Sequence, residues 1–328
     1  MPEIPVLVAG GAGYIGSHTC LALAQAGFRP IVYDNLSNGH REFSKWGPLV
    51  EGDIRDRARL DEVLNHYKPV AILHFAALIE VGESVRDPVA FYENNVVGSL
   101  SLLSAAQAAH VRAIVFSSTC ATYGLPEMIP MSENHPQAPI NPYGRTKWVI
   151  EQALRDYDSY TELRHVTLRY FNAAGADFEA RIGEWHTPET HAIPLAIETA
   201  LGRRETFQVF GTDYDTRDGT CVRDYVHVLD LADAHVRALQ YLLDGGASRS
   251  INLGTGTGTT VNELLRTIAT ASGRPFPIVE RERRPGDSPV LVANNEMARE
   301  VLGWTPRYSL EDITRSAWQW HTSSNLLG

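Results

Sequence analysis

The sequence predicts an α/β protein built on a doubly wound parallel sheet, with a smaller, mixed α/β lobe in its C-terminal half. Apolar runs of strand length alternate with segments of helical periodicity as far as residue 172. A glycine-rich turn at residues 10–16 joins the first strand to the first helix. Beyond residue 172 the elements become shorter and prolines more frequent. We therefore expect one domain over residues 1–172 and a substrate-binding lobe over 173–328.

The predicted strands of the first domain follow one another with a predicted helix between them, the first helix covering 14–26. Near-continuous apolar strands joined in this way are typical of a parallel sheet that is covered on both faces. In chain order these strands are 5–9, 30–33, 70–75, 113–116 and 166–168.

One later segment is expected to return to the first domain, within residues 224–256. It holds a strong helical pattern over 231–243 followed by a short strand at 250–253. The glycine and threonine run at 254–260 follows, and a turn ending in a threonine helix cap is favoured there over a second phosphate-binding loop.

Composition excludes several classes of protein. The net charge of −10 over 328 residues disfavours nucleic-acid binding. No apolar run approaches the ~20 residues of a membrane-spanning helix, and the N-terminus has no signal-peptide pattern, so we expect a cytoplasmic protein. The three cysteines are too widely separated for a disulfide framework or a structural zinc site.

The first turn has the spacing of a dinucleotide-binding loop. Gly10, Gly13 and Gly16 lie between a strand and a helix, where glycine permits a tight turn, close approach of the pyrophosphate and close packing of helix on strand. The helix that begins at Tyr14 and Ile15 then directs its N-terminal N–H groups at the phosphates. The sequence thus predicts a Rossmann-type domain.

Asp34 ends the second strand, where a carboxylate accepts hydrogen bonds from the adenosine ribose and repels a 2′-phosphate. That position favours NAD over NADP, although Arg41 leaves the choice open and a turn or helix cap is the ordinary use of Asp34-Asn35. Asp53 and Ile54, near the end of a third strand, are predicted to flank the adenine.

Tyr143 and Lys147 are spaced four residues apart on a predicted helix and so share one face. Lowering the pKa of a phenol from ~10 to about 7 takes roughly 4 kcal/mol. An ammonium and an oxidised nicotinamide, each ~5 Å away, supply about 3 kcal/mol apiece at an effective dielectric near 20, before desolvation is subtracted. Without the glycine turn, a surface tyrosine over a lysine would be the simpler interpretation.

Four further segments, 116–124, 138–144, 168–175 and 218–225, are similar to those of a known family, and the similarity extends over the whole length of the chain. With the two motifs above, they resemble the extended short-chain dehydrogenase/reductase family, and within it the UDP-glucose 4-epimerases, most closely bacterial members that serve exopolysaccharide synthesis. The resemblance implies that Tyr143 is the base and that Thr119 relays the proton of the sugar 4-hydroxyl. Hydride passes from C4 to a retained NAD and returns to the opposite face, which interconverts UDP-galactose and UDP-glucose. A homodimer formed through residues 91–108 and 148–157 is also implied.

The resemblance, taken with the two motifs, also assigns the binding residues. The predicted cofactor contacts are Gly10, Gly13, Tyr14, Ile15, Gly16, Asp34, Asn35, Asp53, Ile54, Phe75, Ala76, Ala77, Asn94, Thr119, Tyr143, Lys147, Tyr170 and Phe171. The predicted substrate contacts are Thr119, Tyr143, Asn172, His191, Ala192, Gln208, Val209, Phe210, Arg223, Tyr225, Arg284 and Asp287. Guanidinium groups match the oxygens of a diphosphate, which is the expected use of Arg223 and Arg284.

No metal is expected. His186 and His191 are five residues apart, and no convergent cysteine or carboxylate spacing accompanies them in the sequence.

Several alternatives stay open at the level of sequence. Related dehydratases carry acidic residues directly after the corresponding threonine, and related decarboxylases carry a nearby glutamate, whereas this chain has Cys120 and Ala121. Ile79 and Leu291 depart from the family pattern, where a lysine and a tyrosine are frequent. The smaller Leu291 leaves room for an N-acetyl group and so leaves open a UDP-N-acetylhexosamine 4-epimerase, and the resemblance to enzymes that act on UDP-pentoses leaves open a UDP-pentose 4-epimerase. A reductase that releases its cofactor and a non-catalytic NAD-sensing protein are the remaining alternatives.

Overall fold

The computed structural model describes residues 4–284 and 286–323, and it contains a central sheet, three small sheets and helices on both sides. The strands are β1 Ile4–Ala9, β2 Phe28–Asp34, β3 Leu49–Glu51, β4 Ala71–His74, β5 Ala113–Thr119, β6 Arg164–Tyr170, β7 Asn172–Ala174, β8 Phe207–Phe210, β9 Val222–Arg223, β10 Tyr225–His227, β11 Arg249–Leu253, β12 Thr259–Thr260, β13 Ile278–Arg281 and β14 Val290–Leu291.

The helices complete the chain. They are α1 Tyr14–Gln25, α2 Arg57–Tyr67, α3 Val81–Arg86, α4 Pro88–Phe91, α5 Gly98–Ala108, α6 Pro142–Tyr160, α7 Ala192–Ala200, α8 Val228–Leu243, α9 Val261–Ser272, α10 Glu296–Leu302 and α11 Leu310–Thr322, with short 3₁₀ turns at Arg41–Phe43 and Cys120–Thr122 and a π-helix at Tyr92–Val97. Across the described residues, no helix is both long enough and apolar enough to span a bilayer.

The central sheet has seven parallel strands in the order β11-β6-β5-β4-β1-β2-β3. The chain runs outward from β1 in one direction and then returns to continue outward from β4 in the other, which is the doubly wound arrangement. The predicted Rossmann-type α/β fold class is therefore confirmed.

Both faces of this sheet are buried, which explains the continuous apolar strands. Alternate residues of β1 point to opposite faces, so Val6 and Val8 lie in one core with Leu23 of α1 and Leu231 of α8. Leu7 lies in the second core. The side chains that α2, α5 and α6 contribute to this second core include Leu64, Leu102 and Ile150.

Strand β5 extends three residues past its predicted end at residue 116. Ser117, Ser118 and Thr119 interrupt the apolar run in the sequence, yet all three are buried in the structure. Their polar groups find partners inside the protein, as where the hydroxyl of Ser118 donates to Glu151 at 2.6 Å. Hydroxyl groups that have hydrogen-bond partners can be buried at little cost in free energy, so the polar residues 117–119 do not mark the end of the strand.

The chain beyond residue 172 contributes to both the sheet and a separate core. Strand β11 forms the edge of the central sheet beside β6, and α8 covers one of its faces. Helix α8 begins at Val228, three residues before its predicted start, because the side chain of His227 accepts a hydrogen bond from the backbone N–H of Leu229 at 3.1 Å. Helices α7, α9 and α11 pack around a third apolar core. The division at residue 172 into two domains stays a prediction.

Candidate active site

A cavity of about 430 Å³ opens at the carboxyl ends of the central strands, where the direction of the strand order reverses between β1 and β4. Ligands of open parallel sheets bind in this crevice because the loops that follow neighbouring strands diverge there. The glycine turn after β1 and the segment 75–81 after β4 both line the cavity.

The three glycines of the first turn meet three different steric demands. Gly10 has a φ of +80°, and a Cβ atom there would lie 2.5 Å from the backbone nitrogen of Ala76. A Cβ on Gly16 would overlap the carbonyl oxygen of Gly10, so α1 packs directly on the turn. A Cβ on Gly13 would meet only that same oxygen at 3.4 Å, and Gly13 borders the cavity. The turn is therefore open on the side that faces the cavity, where a ligand can approach its backbone closely. This geometry fits the pyrophosphate of NAD.

Asp34 is held in a fixed orientation at the cavity wall. One carboxylate oxygen accepts from the N–H of Ala12 and the other from the N–H of Leu36, both at 2.9 Å. Burial raises the pKa of Asp34, and these two backbone hydrogen bonds oppose that shift. Each oxygen keeps a second lone pair for a ribose hydroxyl.

The neighbours of Asp34 divide into lining and supporting residues. Asn35 and Ile54 line the cavity, whereas Asp53 is outside the lining and accepts a hydrogen bond from the amide of Asn35 at 3.1 Å. Arg41, which left NADP open, forms an exposed ion pair with Glu51. Because the guanidinium of Arg41 is already paired with a carboxylate, it is less available to bind the 2′-phosphate of NADP.

Tyr143 lies in the first turn of α6 and borders the cavity. Asn141 sets this position because its side-chain oxygen accepts from the N–H of Gly144 at 2.8 Å, and Pro142 follows at the start of the helix. Burial raises the pKa of the Tyr143 phenol, while a hydrogen bond with Thr119 acts in the opposite direction. Thr119 also borders the cavity, at the end of β5.

Lys147 lies one turn further along α6, on the same side of the helix as Tyr143. Its ammonium donates to the carbonyl oxygen of Ser117 at 2.9 Å and lies 4.9 Å from the centroid of the Phe116 ring. Burial lowers the pKa of Lys147 to about 7, against the opposing charge of Glu151. The structure thus places the side chain of Lys147 on the wall of the same cavity as Tyr143 and bonds its ammonium to the backbone of β5.

Two polar residues that the sequence did not single out hold this arrangement together. The side chain of Asn95 accepts from the N–H of Leu78 at 2.8 Å and donates to the Leu78 carbonyl at 3.0 Å and to Thr146 at 3.1 Å. Asn95 thereby ties the loop after β4 to α6. Ser117, the other residue, pairs its hydroxyl with that of Tyr170. Nothing in the spacing of either residue along the chain indicates these partners.

The cavity brings together all the predicted cofactor residues apart from Asp53. Asn172 and His191 of the predicted substrate residues also border it. The remaining ones lie elsewhere: Arg223 pairs with Asp287 at 2.6 Å, and Arg284 lies 3.8 Å from the centroid of the Phe210 ring. Ala192 begins α7, Gln208 and Val209 belong to β8, and Tyr225 belongs to β10. Their substrate contacts stay predictions.

The sequence interpretation of the two histidines was wrong in one respect. Glu184 and Glu189 converge on His186 and His191, with the nearest pair, His191 Nδ1 and Glu184 Oε1, 2.8 Å apart. Desolvation lowers the pKa of His191, but the two carboxylates outweigh it and hold that pKa well above its ordinary value. The four residues alternate between glutamate and histidine at spacings of two, three and two positions, and that alternation is the signal in the sequence that could have indicated the cluster.

Comparison with known proteins gives one consistent result. The family model for GDP-mannose 4,6 dehydratase matches residues 7–317. The chain is 73% identical over 320 residues to a UDP-glucose 4-epimerase of Rhizobium leguminosarum bv. trifolii, with 98% of each chain covered. Its structure is similar to that of UDP-glucose 4-epimerase from Brucella ovis in complex with NAD, with a TM-score of 0.95, 51% identity and coverage of 97% and 98%. A Stenotrophomonas maltophila UDP-glucose 4-epimerase with bound NAD and formylated UDP-arabinopyranose matches with a TM-score of 0.96, 41% identity and coverage of 99% and 100%.

Proposed function

The chain belongs to the UDP-glucose 4-epimerase family, and from that premise we propose that Tyr143, Thr119 and Lys147 carry out its proton transfer and charge stabilisation. It is an NAD-dependent isomerase that interconverts UDP-galactose and UDP-glucose by reversible oxidation at C4 of the sugar. The observation that carries the residue assignment is the presence of all three side chains on the wall of one cavity beside the glycine turn.

NAD, held at the glycine turn and Asp34, supplies a reversible hydride acceptor when it is bound. Tyr143, as a phenolate, takes the proton of the sugar 4-hydroxyl, and the hydroxyl of Thr119 relays it. The same two groups return the proton when the 4-keto sugar is reduced on its other face. Cys120 and Ala121, which follow Thr119 at the cavity wall, offer no carboxylate for elimination of water, and this supports epimerisation over dehydration.

A phenolate in this site needs a cation beside it, because burial alone raises the pKa of Tyr143. Lys147 is the cation that the chain supplies. Its bond to the Ser117 carbonyl keeps the ammonium in place without using the phenol oxygen as a partner. The phenol oxygen, which hydrogen-bonds Thr119, therefore does not have to pair with the ammonium as well and stays open to the sugar hydroxyl.

The first experiment uses the protein with the NAD it retains. Incubation with UDP-galactose and no added NAD is expected to yield UDP-glucose. Tyr143→Phe is expected to lose turnover while the NAD content of the denatured protein stays unchanged. Tyr160→Phe is the matched control, since that tyrosine lies on the same helix and is 86% exposed. Full activity of Tyr143→Phe would contradict the assignment.

UDP-galactose and UDP-glucose are proposed as the principal substrates. UDP-pentoses and N-acetylated UDP-sugars are the alternatives, and a panel of these compounds compared by kcat/KM separates them. Equal rates on UDP-xylose would overturn the preference for hexoses.

We also propose that the protein is a homodimer. Three side chains, Val89, Val97 and Leu100, are 62%, 55% and 41% exposed on the segment 88–108 that packs beside α6. An apolar surface of this kind gains free energy when a second copy covers it. Light scattering is expected to give twice the mass of one chain, and Val97→Arg is expected to give a monomer. Ile278→Arg, at a similarly exposed apolar position on β13, should leave the mass unchanged.

Cytoplasmic location and a role in exopolysaccharide synthesis are proposed on the basis of the family resemblance. Deletion of the gene is expected to remove galactose from the secreted polysaccharide. Cell fractionation tests the location.

A further inference from the structure

Four side chains converge on one point of the loop between β7 and α7. Glu184, His186, Glu189 and His191 each offer one ligand atom, and these atoms all lie within 4.8 Å of one another. We propose that these four residues form a binding site for a divalent transition-metal ion of the zinc type. This site is separate from the catalytic assignment of Tyr143 and does not depend on it.

The spacing of the ligand atoms fits a tetrahedral ion. Zinc–nitrogen and zinc–oxygen bonds of about 2.0–2.2 Å place neighbouring ligand atoms roughly 3.3–3.6 Å apart in a tetrahedron. His186 Nδ1 lies 3.6 Å from an oxygen of Glu184 and 3.6 Å from one of Glu189. His191 Nδ1 lies 2.8 Å from Oε1 of Glu184 and 3.4 Å from Oε1 of Glu189, whose other oxygen is the proposed ligand atom. For an ion to enter, His191 and Glu184 would have to separate and release the proton between them, and ligand atoms further apart than a tetrahedral edge, up to 4.8 Å, would have to close in.

His186 supplies a second, independent observation. Its Nδ1 atom is buried and has no hydrogen-bond partner among the described residues, although two carboxylates lie near it. Buried polar atoms without a partner are rare, because their lost hydration is not replaced. A metal ion between the imidazole and the carboxylates would satisfy this nitrogen.

The surrounding structure holds the ligands in place. The indole of Trp320 donates to the carbonyl oxygen of Glu184 at 2.9 Å, which anchors the loop to α11. Glu189 Oε1 accepts from the N–H groups of Thr190 and His191 at 2.7 and 2.8 Å, so Oε2 is the oxygen left for an ion. Supports of this kind orient the ligands of metal sites.

The donor atoms and the accessibility select the class of ion. Two imidazoles with two carboxylates suit zinc, whereas magnesium and calcium take oxygen ligands.

The site is open to solvent on one side. The side chains of Glu184 and Glu189 are 6% and 7% exposed, whereas that of His191 is 45% exposed. Glu184, His186 and His191 also border the cavity. A divalent ion cancels two carboxylate charges at a wall that faces anionic nucleotides, so its presence favours their binding.

The test uses the full-length, NAD-loaded protein, treated with a chelator and dialysed. Titration calorimetry with Zn²⁺ is expected to show one tight site per chain. Co²⁺ bound in its place is expected to give the intense visible absorption of tetrahedral coordination. His186→Ala and Glu189→Gln are each expected to lose more than the ~10–100-fold in affinity that loss of a supporting residue costs. His66→Ala, which removes an exposed histidine from α2, is the matched control and should bind normally.

Bound NAD and circular dichroism establish that each variant is folded. His191→Ala, at the partly exposed ligand, provides a variant whose folding is least at risk. Absence of a one-to-one site in the unsubstituted protein, or equal Zn²⁺ affinity in the ligand variants, overturns the proposal. In that event the cluster is an ion-pair network held by protons alone.

Discussion

A buried ion pair behind the catalytic helix provides the most quantitative test of how the site is held. Arg169 of β6 and Glu151 of α6 are each 1% exposed, and their closest atoms are 2.6 Å apart. The guanidinium also reaches the other carboxylate oxygen at 3.0 Å. Ser118 and Gln137 donate to the same carboxylate at 2.6 and 2.8 Å. Glu151 is therefore surrounded by donors.

Glu151→Gln keeps the shape of the side chain and removes its charge. Whichever way the new amide is turned, its NH₂ faces a guanidinium N–H, and a donor is left unpaired. Each buried unpaired group costs about 1–3 kcal/mol, and breaking a buried ion pair at one partner costs about 3–5 kcal/mol. We expect the free energy of unfolding to fall by about 3–5 kcal/mol.

The same substitution should change catalysis through Lys147. Burial lowers the pKa of Lys147 and the charge of Glu151 opposes that effect. Without Glu151 the pKa of Lys147 falls further below about 7, so the ammonium is lost at a lower pH. The pH at which kcat declines through this deprotonation is expected to move downward, and activity at neutral pH is expected to fall.

Urea unfolding of the NAD-saturated protein and the pH profile of kcat measure these two effects. Arg164→Gln is the matched control, because Arg164 and Asp158 pair on the same two elements with side chains 47% and 32% exposed. That loss should stay within about 1 kcal/mol. A double variant, Glu151→Leu with Arg169→Met, removes both charges and is expected to be more stable than Glu151→Gln. A loss below about 1 kcal/mol in Glu151→Gln would refute the reasoning.

Three further outcomes are expected. Gly16→Ala places a methyl group against the Gly10 carbonyl and should lower the NAD retained after gel filtration, whereas Gly82→Ala, which meets no atom within 4 Å, should retain it. Thr119→Val removes the proton relay and should lower kcat by ~10²-fold or more in a coupled assay, and a near-normal kcat would exclude the relay. Asn95→Ala removes two hydrogen bonds to Leu78 in the loop after β4 and one to Thr146 of α6, so we expect lower thermal stability and kcat, with unchanged values counting against the positioning role.

Local patterns accounted for much of the site. The glycine turn predicted the tight turn at Gly10 and the close packing of α1 at Gly16, because both depend on residues near in the chain. The spacing of Tyr143 and Lys147 predicted a shared helix face for the same reason. The contact that a Cβ on Gly10 would make with Ala76 depends on a segment distant in sequence, and the glycine spacing does not indicate it. The end of β5 was predicted less well. Its hydroxyl residues, such as Ser118, are buried because they bond to partners distant in sequence, which the local pattern does not indicate.

The sequence by itself determined the α/β class, the nucleotide turn and the pair on α6, since periodicity and short spacings act within one element or one turn. The tertiary structure alone decided which distant groups meet: Asn95 with Leu78 and Thr146, Glu151 with Arg169, and Lys147 with the backbone of β5. It also decided the orientation of Glu184 and Glu189 toward two histidines, in a loop that α11 holds in place. Such contacts depend on how the strands are ordered in the sheet and how the helices pack on it, and no spacing along the chain records that order.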